Sequence, residues 1–218
     1  AGRPPPAAAQ EAKGGGGRRA DWEVNNFIEA VDVFAVTNSE GSPVLENRAE
    51  GPTGVFYLAK SGAAETLRRL QEEGVATRLE LRQLPLAEVY LPLVVGGREA
   101  ELGGRMRLEP LPEEVRHARQ LLQGGSVGPP GTVPLFVCPA LEMEGGPGGR
   151  PFVPAFLREE DLRRSLKLAG AAAGAADVQV TTLQAAAEEV SRAAGQRGAG
   201  AAPLMRVLPG TGNVRAPK

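Results

Sequence analysis

The side chains able to do chemistry are few and scattered. His117 is the only histidine and sits beside Glu113 and Glu114 on the wet side of a helix. No histidine cluster, nucleophilic triad or facial metal site can be assembled around it. Cys138 is the only cysteine, which excludes an internal disulfide and any paired-thiol redox or zinc site. Its place at the end of an apolar run reads as a small buried residue. Glu159, Glu160 and Asp161 offer three carboxylates. Adjacent residues in a first helical turn point apart, however, and complementing the helix dipole already accounts for them. Gly14 to Gly17 neither follow a strand nor lead into Gly-Lys-Ser/Thr, so they are not a phosphate loop. Arg68, Arg69, Arg163 and Arg164 occupy matching helix faces. They read as solvated surface, with contact to an acidic partner as the alternative. No catalytic residue, metal or cofactor is expected.

A chain of 218 residues, 42% of them hydrophobic, can bury a full core. Its 25 basic against 26 acidic residues give no field to attract nucleic acid. No apolar run approaches the ~20 residues that cross a bilayer, so membrane contact is expected to be peripheral at most. Residues 1–20 hold Pro4-Pro5-Pro6, an alanine run and Gly14 to Gly17, a composition that cannot collapse. A disordered leader is expected there, as the end of an organellar targeting peptide or as plain low-complexity sequence.

After Asp21 as a cap, with Trp22 beside it, Val24, Phe27, Ile28 and Val31 fall at helical spacing. This predicts an amphipathic helix over 21–30 that packs on its own domain, with contact to a membrane surface or to a client as the alternative. Val31 to Thr37 is a strand, Asn38 to Gly41 a turn, and Gly54 to Ala59 the second strand of a hairpin. Ser61 caps a helix from Ala63 to Glu73 that stops at Gly74. A strand from Thr77 to Leu84, a short helix, the apolar run Leu91 to Val95 and a strand from Arg105 to Pro110 follow. With a connecting helix over Pro112 to Leu122, these make an N-terminal unit, 21–123. Residues 124–132 are a linker, 133–209 a C-terminal unit and 210–218 a mobile tail.

The two units resemble each other. Val153 to Phe156 run directly into the helix that stops at Gly170, as Gly54 to Ala59 run into theirs. Leu79, Leu81 and Leu84 recur as Val178, Val180 and Leu183, and Arg105 to Pro110 recur as Leu204 to Pro209, all at an offset of 99. A spacing held over several elements predicts an ancestral duplication, with a period far beyond that of solenoid repeats. The expected fold is α/β and internally duplicated: two pseudo-symmetric units with mixed β-sheets and helices packed on them.

In their order, V-D-V-F-A-V-T-N-S-E-G-S-P, G-V-F-Y-L-A-K-S-G-A-A-E-T-L, V-P-L-F-V, V-P-A-F-L-R-E-E-D-L-R-R-S-L and V-Q-V-T-T-L resemble the family of the twenty-two-kilodalton component of the translocon at the inner envelope of chloroplasts. The resemblance spans Asp21 to Pro209. It implies a non-enzymatic, chaperone-like role in plastid protein import, in the intermembrane space or peripheral to the inner envelope membrane. Its partners would be unfolded precursor polypeptides and translocon subunits of the outer and inner envelope. The rival expectation is a stoichiometric accessory or assembly subunit of a large plastid complex. For client binding, the apolar residues expected to line a crevice at the junction of the units are Trp22, Phe27, Ile28, Phe56, Leu91, Leu93, Val95 and Phe156; for Phe56 and Phe156 the alternative is plain core.

Overall fold

Val33 to Val36 form an apolar run that suits a strand covered on both faces. In the computed structural model they are the middle of β1 (Asp32–Thr37), all six residues of which are buried. The structure describes residues 15–74, 78–95, 103–144, 151–169, 178–196 and 204–208. The expected leader up to residue 14, the connector at 170–176 and the tail at 210–218 lie outside these. β1 pairs antiparallel with β3 (Gly51–Tyr57) and β4 (Glu80–Pro85). On β3 lie β2 (Leu45–Arg48), antiparallel, and β5 (Arg105–Glu109), parallel. In the second sheet β6 (Pro134–Val137) pairs antiparallel with β7 (Phe152–Phe156) and β8 (Gln179–Thr182), and β7 runs parallel to β9 (Leu204–Leu208). The fold is α/β with two mixed sheets.

Strand order and register correspond between the sheets. Thr53 faces Arg105 and Tyr57 faces Glu109; Phe152 faces Leu204 and Phe156 faces Leu208. At the other side the spacing differs. Leu86 N–H donates to Val31 O at 2.8 Å and Leu183 N–H to Val133 O at 2.9 Å. Leu86 and Leu183 are thus the equivalent pair, two residues out of step with the match of Leu84 to Leu183 made from sequence.

Among the described residues six helices cover the sheets: α1 (Gly15–Ile28), α2 (Lys60–Glu72), α3 (Leu86–Val89), α4 (Pro112–Leu121), α5 (Glu159–Leu168) and α6 (Leu183–Gln196). α3 runs into a π-helical turn, Tyr90–Val95, where Pro92 lacks the N–H that an α-helical ladder needs. One central core joins the inner faces of both sheets (Val33, Ala35 and Phe56; Leu135, Val137 and Ala155) to α1, α3 and α6. Two smaller cores lie outside, one under α2 and one under α4 and α5.

Several elements differ from their sequence-based boundaries. α1 begins at Gly15, inside the segment expected to be disordered, and Asp21 lies within the helix rather than capping it. α1 packs on α6 and β9, so an element assigned to the N-terminal unit docks on the C-terminal one. Ala59, not Ser61, is the N-cap of α2, with no side-chain hydrogen bond. Gly74, at φ +72°, does end that helix. β2 is additional: Leu-Glu-Asn-Arg carries one apolar residue and no alternating signal.

Candidate functional site

The eight apolar residues expected at the junction separate into two groups. Phe27, Ile28, Phe56 and Phe156 are at most 3% exposed. A side chain without accessible surface cannot touch another chain while this packing holds. Phe27, Ile28 and Phe56 belong to the central core, but Phe156 lies in the outer core with Phe136, Leu162 and Leu166. The strand register explains the split. Phe56 faces Leu108 and Phe156 faces Leu208, so the position equivalent to Phe156 is Tyr57, and Phe56 matches Ala155. With a side-chain period of two, one residue of displacement moves a side chain to the other face.

Trp22 and Val95 are open, at 54% and 58% exposure, and Leu91 is half-buried against the central core. Leu93 is in the π-helical turn, but its side chain lies outside the described residues. A cleft of ≈ 480 Å³ lies between three elements here. α1 supplies Asp21 and Val24, the π-helical turn Tyr90, Leu91 and Val95, and α6 Ala187, Glu188, Ser191 and Arg192. The spacing of Ala186, Ala187, Val190 and Ala194 turns an apolar stripe of α6 inward, and α1 answers it with Val24, Phe27 and Ile28. The cleft thus has an apolar floor and a polar rim with more acid than base. Desolvation, with a smaller push from the charge of Glu188, raises the Tyr90 hydroxyl to about 12. It is a neutral group at any physiological pH.

A second cavity, ≈ 640 Å³, lies on the outer side of the first sheet between β2, β3, α2 and the start of α4. Its groups are mutually engaged. Tyr57 Oη lies 2.8 Å from Thr66 Oγ1 and 3.3 Å from Glu46 Oε1. Arg69 Nη2 lies 2.5 Å from Glu46 Oε2, and Arg48 Nη1 3.4 Å from Glu109 Oε2. The arginines read as solvated surface are also paired on their own helices: Arg68 with Glu72, Arg69 with Glu73, Arg163 with Glu159 and Arg164 with Glu160.

His117 Nδ1 lies 3.4 Å from Glu114 Oε2, and Glu114 is buried because its Oε2 accepts the N–H of Glu159 at 3.1 Å. A glutamate of α4 thus caps α5 from another helix. Cys138 is buried. Among the described residues no cluster of His, Cys, Asp and Glu could hold a metal ion, and no helix is long and apolar enough to cross a membrane.

The family model described as the Tic22-like family matches residues 7–203. The chain belongs to the Tic22-like family. Its fold is similar to two solved structures. "Anabaena Tic22 (protein transport)" aligns with a TM-score of 0.62 at 19% identity, covering 91% of this chain and 99% of that one. "Tic22 from Plasmodium falciparum" aligns with a TM-score of 0.62 at 15% identity, covering 87% and 93%. No curated protein matches the chain by sequence.

Sequence reasoning missed the α6 side of the cleft. Its helix was legible, but nothing in the local pattern of Ala187 or Ser191 says that a helix at the far end of the chain receives them. The signal that existed was the pair of complementary apolar stripes on α1 and α6.

Proposed function

We propose that this protein is a non-enzymatic, chaperone-like component of plastid protein import that holds unfolded precursor polypeptides in the intermembrane space. Membership of the Tic22-like family and the protein-transport role stated for the Anabaena relative support that reading. The observation that carries it is the cleft between α1, the π-helical turn and α6, with Leu91 and Val95 in its lining and Trp22 beside Asp21. An extended client buries apolar side chains on Leu91 and Val95, while Asp21 and Glu188 favour a basic flank. Such a contact is shallow and reversible, which suits holding and release. In this reading its partners are unfolded precursors and translocon subunits of the outer and inner envelope.

The test dilutes a chemically unfolded client into the purified chain and follows light scattering. The native chain is expected to suppress aggregation, and Trp22→Glu and Val95→Glu, both at open positions, are expected to weaken suppression with unchanged circular dichroism. Equal suppression by native and variant chains would remove the cleft from the reading. No suppression at stoichiometric excess would instead favour a permanent accessory or assembly subunit.

A further inference from the structure

β4 is the outer strand of the first sheet. Its inner edge is taken up by β1, with Val33 opposite Leu84, Ala35 opposite Arg82 and Thr37 opposite Glu80. The donation from Leu86 N–H to Val31 O makes that pair a hydrogen-bonded one and fixes the alternation along the ladder. Residues 84, 82 and 80 therefore turn their backbone groups toward β1, and Leu79, Leu81 and Gln83 turn theirs outward. Among the described residues no backbone group meets them. Pro85, lacking an N–H, ends the row of donors. The corresponding strand β8 is different: α4 packs beside it, and Val178 and Val180 pack against the same outer core as Leu121 and Val127.

Charge normally blunts an open edge. β4 carries Glu80 and Arg82, both about half exposed, 3.6 Å apart. Their order is self-complementary. When a second β4 lies antiparallel with Leu81 facing its own copy, Glu80 faces the partner's Arg82, and Arg82 faces the partner's Glu80. In that register each outward N–H of Leu79, Leu81 and Gln83 meets an outward C=O. The two neighbouring registers are repulsive. One sets Glu80 against itself and Arg78 against Arg82; the other sets Arg82 against itself. The helices leave room. α2 packs chiefly over β1, so its copy would lie three strand spacings away, roughly 14 Å, clear of a helix diameter of about 10–12 Å.

We propose that β4 is a self-association edge through which two copies of this chain join about a two-fold axis into one continuous sheet. Sedimentation velocity of the full chain across a wide concentration range tests it. A reversible monomer–dimer equilibrium is expected. Glu80→Arg and Arg82→Glu should each weaken it by roughly tenfold, because two attractive cross-strand pairs become repulsive. The combined Glu80→Arg/Arg82→Glu variant should return to the native value, since the swap restores both pairs. A native chain that stays monomeric, a dimer indifferent to both reversals, or a double variant that folds yet fails to recover would each overturn the proposal.

Discussion

The two sheets share a strand order but are covered differently on their outer faces. The second sheet lies under two helices, and Phe136 and Phe156 pack there with Leu162 and Leu166 of α5 and Ala118 of α4. Among the described residues the first sheet has α2 alone, and its outer core is Phe34, Val55, Tyr57 and Ala63. The space that a second helix would fill is the ≈ 640 Å³ cavity, with Glu46, Arg48, Arg69 and Glu109 around it. At equivalent register one sheet places Phe156, in a dry site, and the other Tyr57, whose hydroxyl reaches Thr66 and Glu46. Strand order alone therefore does not decide what a sheet face becomes. The helix at the join does, and α4 goes to the second sheet.

Truncating the matched phenylalanines gives the largest effect. Phe136→Ala should cost about 3–5 kcal/mol, because its fully buried site cannot collapse around the loss. Phe34→Ala should cost less, about 2–3 kcal/mol, because Phe34 sits in the smaller outer core. Urea unfolding of both variants with equal slopes reads the difference directly. Equal losses would mean that α2 alone covers its sheet as well as two helices do. Exchanging the ring types sharpens the same comparison. Phe156→Tyr places a hydroxyl in an apolar core and should cost about 1–3 kcal/mol, whereas Tyr57→Phe gives up its contacts beside a cavity and should cost about 1 kcal/mol.

Much of this fold is legible in the chain. Pro112 with Glu113 and Glu114 marks the start of α4, the carboxylates at 159–161 mark α5, and Gly74 marks the end of α2. What local pattern cannot carry is distance. Glu114 looks like ordinary first-turn charge, yet it is buried because it caps α5. Phe56 and Phe156 look like one pair because both follow an apolar run, yet pairing with β5 and β9 puts them on opposite faces. Of the site, Trp22, Leu91 and Val95 were legible as apolar residues near the junction, while the α6 wall was not, because only the docking of α1 on α6 brings it there.

Alkaline pH distinguishes the halves further, since both tyrosines, Tyr57 and Tyr90, belong to the first. Burial raises both hydroxyls, Tyr90 to about 12. An unfolded tyrosine ionises near pH ~10, so the folded chain holds these protons more tightly. The stability they contribute is complete below pH ~10 and is lost as pH rises toward the folded value of Tyr90. Phenolate absorbance should therefore lag behind that of a free tyrosine and then rise with unfolding. Tyr90→Phe should flatten the fall of stability over that window, and an unchanged slope would remove Tyr90 as its cause.

The smallest effect lies in the polar cavity itself. Arg69 pairs with Glu46 and with Glu73, and a reader of the contact pattern alone would take this network for the first sheet's substitute for a second helix. The energetics argue otherwise. The Arg69 side chain is 44% exposed, so water screens its ion pairs and their order costs side-chain entropy. Arg48 lies 3.7 Å from Glu46, so that carboxylate has a second cation beside it. Arg69→Ala should then cost less than about 1 kcal/mol, and less again at high salt. A loss comparable to Phe34→Ala, insensitive to salt, would make the ionic network a true counterpart of the apolar cover on the second sheet, and the contrast between the two outer faces would become one of chemistry rather than of strength.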